Sequence, residues 1–269
     1  MNYCPSPLYT TKHPDALARI DAAIARGCGR AERRPRLFFR ADDIGVPSAH
    51  FARMIDLFQR HHLPLCLATV PSWLTARRWQ DLQRITTAES TQWYWHQHGR
   101  SHHNFEPQGK KQEFGPSRSR LAIRQSLQLG RDRLQRLQGE LFHPVFTPPW
   151  NRCSAETLTA LADLGYQAVS RSRGALPQAP AGLFDLAVNV DLHTRKEPSA
   201  PAGFAALLSE FEEALASGTA GIMLHHQRMN RAAFALLDLL LDRVNRNGRP
   251  LAVHFGDLLA ELPAEPLAH

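Results

Sequence analysis

LFFRADDIGVPS, the stretch from Leu37 to Ser48, carries the decision about the fold. Its first four residues, Leu37–Arg40, make a short run rich in aliphatic and aromatic side chains, as buried strands are. Two carboxylates, Asp42 and Asp43, follow at once, and Pro47 with Ser48 suits the start of a helix. The stretch thus reads as a strand, an acidic pair at its C-terminal end, and a helix start.

The same unit recurs along the chain. Further strand-like runs stand at Leu63–Val70, Gln92–His98, Pro144–Thr147, Tyr166–Arg171, Leu183–Asp191, Gly221–His225 and Leu251–His254. Amphipathic stripes lie between them: Ile123, Leu127, Leu134 and Leu137, then Phe204, Leu207, Leu208, Phe211 and Leu215, then Phe234, Leu237, Leu240, Leu241 and Val244. Ser154 is placed to cap a helix that Gly165 ends, and Gly248 and Pro250 break the last long helix. This alternation predicts an α/β fold, a closed or nearly closed parallel (β/α) barrel of seven or eight units, with an open doubly wound sheet as the alternative. Residues 1–34 read as an N-terminal extension packed on a single catalytic domain spanning 35–269. In either architecture the C-terminal strand ends share one face, where functional side chains collect.

Composition narrows the partners. The 269 residues are 43% hydrophobic, with 32 basic and 25 acidic side chains and a formal net charge of +7. A basic protein suits nucleic acid or an anionic membrane surface, but the densest basic stretch, RGCGRAERRPR from Arg26 to Arg36, is short and reads as a solvated face. No nucleic-acid partner is expected, and contact with an anionic membrane would be peripheral. Cys4, Cys28, Cys66 and Cys153 are far apart and form no CxxC pair, which argues against a disulfide framework or a zinc knuckle. No run resembles a signal peptide or a membrane span, so the expected location is cytoplasmic.

Polar residues gather just past the strand-like runs. They are Asp42 and Asp43, then His96, His98, His102 and His103 in WYWHQHGRSHHN, Thr147 to Asn151 in FTPPWN, Asp191 in VNVDLH, and His225 with His226 in IMLHHQ. Two histidines and a carboxylate with open positions form the usual catalytic site for zinc or a related divalent ion. His98 and His102, four apart, would reach one side of a helical turn, with Asp43 as the carboxylate; His96 with His98, sharing a strand face, is the competing pair. Neighbouring side chains diverge, so Asp42 is left to take a proton from water activated at the metal, or to orient a ligand.

The order DD, HxxxH, PP-aromatic and LH resembles the polysaccharide deacetylases, over about Leu37 to Gln227. The resemblance implies a distorted (β/α)7-8 barrel with a divalent metal, most often zinc, cobalt, nickel and manganese being alternatives. It implies a hydrolase of linear amides that deacetylates an N-acetylated sugar in a glycan or glycolipid. Asp42 matches the family's base, Asp43, His98 and His102 its metal ligands, and His225 its acid. Trp150 matches the residue whose backbone N–H helps hold the oxyanion, and Asp191 stands, by analogy, where it would orient His225. The family's arginine before the PP turn is replaced here by Thr147, with Arg40, Arg100 and Arg152 as candidate substitutes. HHNFEPQGKKQEFG resembles a subgroup of these deacetylases. Its Asn104, Glu106, Lys110, Lys111 and Glu113 are candidates to shape a substrate site that Asn151 and His226 would also line. Trp93 and Trp95 are either sugar-stacking or core residues.

Overall fold

The computed structural model describes residues 5–87 and 91–262; Cys4 and the last seven residues of the expected domain lie outside them. Nine parallel strands form one sheet: β1 (Arg36–Ile44), β2 (Leu65–Thr69), β3 (Trp93–His98), β4 (Phe142–Thr147), β5 (Ala168–Val169), β6 (Phe184–Asp185), β7 (Val190–Asp191), β8 (Thr219–Leu224) and β9 (Leu251–Ala252). Their order is β6-β5-β4-β3-β2-β1-β8-β7, with β9 beside the start of β1. Among the described residues, eight α-helices surround the sheet: α1 (Ala16–Arg30), α2 (Ala49–Arg60), α3 (Ala76–Thr86), α4 (Arg120–Gln138), α5 (Ala155–Asp163), α6 (Ala200–Ala216), α7 (Arg231–Asn247) and α8 (Phe255–Ala260). The expected β/α barrel is therefore present as a curled sheet wrapped in helices, and the doubly wound alternative is not.

Side chains along β1 alternate between two cores. Leu37, Phe39 and Ala41 face the helices and join the large outer core with Phe51, Phe58 and Leu237. Phe38 faces inward with Cys66, Tyr94, Val145, Met223 and Phe255. A strand buried on both faces is apolar on both, which is why Leu37–Phe39 shows no polar alternation. Trp93 and Trp95 point outward into the helix-facing core, where the Trp95 ring meets Trp79 edge-on at 4.9 Å. They are core residues, with no place in a sugar site. Ser48 caps α2 by accepting from the Phe51 N–H, as its position beside Pro47 suggested.

One expectation changes. The run Leu183–Asp191 is not one strand but two short ones, β6 and β7. Its first half pairs with β5 and its second half with β8, because Val188 donates to the Arg171 carbonyl and Asn189 to that of Gly221. One segment thus supplies both edges of the sheet. At the N-terminus, α1 lays Ile20, Ala23 and Ile24 against the core, and a Cβ at Gly27 would meet the Glu212 carbonyl of α6 at 2.7 Å. Among the described residues no helix is long and apolar enough to cross a membrane.

Candidate active site

The C-terminal ends of β1, β3, β4, β7 and β8 open into one cavity of about 890 Å³. Asp42 and Asp43 do not follow β1, as the sequence suggested, but lie inside it. The register against β2 slips between Ala41 and Ile44, and Asp43 takes a left-handed conformation at φ 64°. Such a bulge re-aims side chains. Here it lets two consecutive carboxylates both reach the cavity instead of opposite faces of the sheet.

Asp43 Oδ1 lies 3.3 Å from His98 Nε2 and 3.2 Å from His102 Nε2. One ligand atom from each of the three residues falls within 4.8 Å of the others, and Asp43 Oδ1 is buried with no hydrogen-bond partner among the described residues. His98 Nδ1 donates to the Thr147 carbonyl at 3.0 Å, which leaves Nε2 to face the carboxylate. Burial alone would raise the Asp43 pKa, yet His98, His225 and His102 hold it well below the usual carboxylate range. Burial would likewise lower His98, but Asp43 and Asp42 outweigh it and raise its pKa. Burial brings His102 down to about 4. The donor set fits a divalent cation, which would replace the proton that Asp43 and His98 compete for.

No helix carries His98 and His102. His98 ends β3, and His102 sits in an irregular loop at φ 56°. What shapes that loop is Glu113. Its buried carboxylate accepts from the backbone N–H groups of Arg100, Ser101 and His102 and from the Ser101 hydroxyl, at 2.8–3.2 Å. Gly99 must be glycine, because it sits at φ +55° and a Cβ would meet Glu113 Oε2 at 2.3 Å and Pro149 Cγ at 2.6 Å. The competing pair fails: His96 is fully buried below the rim, bonded to the Thr147 hydroxyl at 2.9 Å, and burial pushes its pKa down to about 3.

The missing arginine is answered by Arg40. It is fully buried and grips Asp42 with two parallel bonds of 2.8 Å, Nε to Oδ1 and an Nη to Oδ2. Its other N–H groups reach the Ser170 carbonyl and hydroxyl and Asn151 Oδ1. Burial opposes ionisation of Asp42, but Arg40, with His98 and His225, lowers its pKa. Of the other candidates, the Arg100 backbone is held by Glu113, and the Arg152 guanidinium reaches, among the described residues, the Lys111 carbonyl. Thr147, in the arginine's sequence position, instead anchors His96 and His98.

Trp150 and Asn151 follow the PP turn at φ 56° and 59°, and both line the cavity. Two successive left-handed non-glycine residues cost on the order of 1–3 kcal/mol each, and such strain concentrates at functional sites. The Trp150 ring lies 4.5 Å from that of His102. His225 also lines the cavity, with a buried Nδ1 lacking any hydrogen-bond partner among the described residues.

Three expected roles are not supported by this geometry. The Asp191 carboxylate does not hold His225; it accepts from the His193 and Thr194 N–H groups and the Thr194 hydroxyl, a local turn satisfied by the nearest donors. Glu106 is taken up by the Ser117 N–H and hydroxyl and does not line the cavity. His226 is buried against Phe51 rather than facing the cavity, and burial takes its pKa to about 4. Asn104 does line the cavity, while its side chain braces the loop through Glu106 and Gln112. One neighbour of His225 was missed: His193 Nδ1 accepts the His225 backbone N–H at 3.0 Å. A second polar residue in VNVDLH was the available signal.

No family model and no curated protein sequence matches the chain. Solved structures do match in fold. A protein from Mycobacterium smegmatis assigned as a polysaccharide deacetylase superposes with a TM-score of 0.63 at 13% identity, over 88% of this chain and 96% of that one. A CE4 esterase from Streptococcus mutans gives 0.58 at 15% identity, over 93% and 92%. A CE4 family pseudoenzyme from Bacillus anthracis gives 0.55 at 12% identity, over 84% and 66%. The fold is that of the polysaccharide deacetylases, a curled parallel barrel ringed by helices.

Proposed function

We propose that the chain is a metal-dependent hydrolase that removes the acetyl group from an N-acetylated sugar in a glycan or glycolipid precursor. The observation that carries this reading is the convergence of Asp43, His98 and His102 beside an arginine-locked Asp42 and a cavity-facing His225. A divalent cation held by the three ligands, zinc first and cobalt, nickel or manganese next, supplies a Lewis acid and lowers the pKa of water.

The chain's own residues do the rest. Arg40 keeps Asp42 ionised and fixed in direction, so that its carboxylate accepts a proton from the attacking water. The Trp150 backbone N–H donates to the carbonyl oxygen of the acetamide as charge develops there. His225 delivers a proton to the departing sugar nitrogen, and acetate and the free amine leave.

The test is acetate release from N-acetylglucosamine oligomers by metal-reconstituted protein, with loss on chelation and recovery on readdition. Acetate from simple esters but not from these amides would replace this reading with an esterase. A carbohydrate-binding pseudoenzyme is the second reading, favoured by the CE4 pseudoenzyme among the similar structures. Glycan binding without acetate release across a broad panel would select it.

A further inference from the structure

The cavity wall opposite in character to the Asp–His cluster is cationic. Lys111, Arg152, Arg173, Lys196 and Arg228 all line it, brought there from separate loops at the ends of β3, β4, β5, β7 and β8. For Lys111, Arg152, Arg173 and Lys196, no carboxylate among the described residues forms an ion pair. The cavity's own acids do not balance them. Asp42 is matched by buried Arg40, and Glu210 shares buried Arg195 with Glu197, which leaves one negative charge over in that triad. Asp191 is bonded to neutral donors of its own turn, which do not offset its charge, and Asp43 faces the two imidazoles, so the four unpaired cations still outnumber the acids left over.

A cation bound at the Asp–His cluster would add positive charge to a site already in excess. Clefts lined by one sign of charge concentrate ligands of the other. Isolated surface lysines and arginines would be a solvated face, but these five converge on one concavity from five loops. Neutral sugar chains, by contrast, rest on aromatic platforms, and Trp150 is the cavity's sole Phe, Tyr or Trp among the described residues.

We propose, building on the deacetylase reading, that the substrate is an acetamido sugar bearing a phosphate group, which the cationic wall holds while the acetamide faces the Asp–His cluster. Arginine and lysine bind phosphate through charge-assisted bonds, and arginine does so in a bidentate fashion. Arg173 and Lys196 are the specificity-determining pair, since both are exposed at the cavity and belong to loops remote from the metal ligands.

The experiment compares N-acetylglucosamine 1-phosphate, N-acetylglucosamine and the carboxylate-bearing N-acetylmuramic acid. It reads kcat/KM for acetate release and Kd by calorimetry, at low and high salt, for the native protein and for Arg173→Gln with Lys196→Gln. The phosphorylated sugar should be preferred by about tenfold or more, chiefly through KM, with the preference shrinking in high salt and in the double variant. Equal kcat/KM and Kd for the phosphorylated and neutral sugars, with acetate released from both, would overturn the phosphate proposal and leave the deacetylase reading standing. Tighter binding of the phosphorylated sugar with no acetate from any of the three would do the reverse. Preference for the carboxylate sugar over the phosphate, or a preference unchanged in the double variant, also counts against this assignment.

Discussion

Two halves of the barrel rim are built differently. On one side, β1, β3 and β4 are six to nine residues long; they carry Arg40 and Asp42, locked by several bonds, with Asp43 and with His98, which is anchored on the Thr147 carbonyl. On the other, β5, β6 and β7 have two residues apiece; Asp191 ends β7, and the loops that follow β5 and β7 present Arg173 and Lys196 to the same cavity. Long strands buried on both faces leave a side chain little freedom, which suits chemistry that fails when a group moves by an ångström. Short strands leave the loops to decide what the wall looks like. On the deacetylase proposal, reaction falls to the first half and recognition to the second, so substitutions in the two halves should fail in different ways.

Removing a ligand is the harshest way to test the long-strand half. Asp43→Ala and His98→Ala should each lose bound metal, read by elemental analysis of purified protein, and with it all measurable acetate release. Retention of stoichiometric metal in either variant would break the assignment. Arg40→Met comes next, because it strands a buried carboxylate. Breaking such a pair costs about 3–5 kcal/mol, seen as a lower urea midpoint, while replacing both partners with apolar residues is often neutral. Arg40→Met with Asp42→Leu should therefore recover most of that stability and none of the activity. Glu113→Gln is milder: it keeps the shape of the loop brace but weakens four bonds to it. Losing a partner that orients ligands typically costs 10–100-fold in metal affinity, so a chelator competition should shift by that amount with kcat for the loaded protein less affected.

How far the sequence revealed this division follows from the same contrast. Apolar runs and strand-end acids are local signals, so the barrel, the acidic pair and the histidine cluster were legible from Leu37–Arg40 and Gln92–His98. Contacts between distant segments were not. Arg40 was one of three candidates to replace the arginine absent at Thr147, and only the curl of the sheet, which brings Ser170 and Asn151 to its guanidinium, singles it out. The HxxxH spacing suggested a helix, whereas a carboxylate eleven residues further on makes the loop that serves instead. Leu183–Asp191 looked like one strand because its pattern is continuous; that it pairs left and then right depends on where β5 and β8 lie. Asp191 lines the cavity but its carboxylate serves a turn, Glu106 is taken up by Ser117 and His226 packs on Phe51, because a polar residue past a strand-like run serves local structure as readily as a site.

Glu106 and Glu113 offer the finest version of the comparison, since both belong to one loop and carry the same side chain. Glu113 is buried and closes on the backbone that delivers His102, whereas Glu106 is bonded to Ser117 at the loop's exposed side. Glu106→Ala should cost no more than about 1 kcal/mol, the worth of a solvent-accessible hydrogen bond, and leave metal affinity and acetate release unchanged. A chelator competition run on Glu106→Ala and Glu113→Gln side by side decides the matter. If both weaken metal binding equally, the loop acts as one rigid unit and Glu113 has no special hold on His102. If only Glu113→Gln does, the site depends on that carboxylate rather than on the loop as a whole.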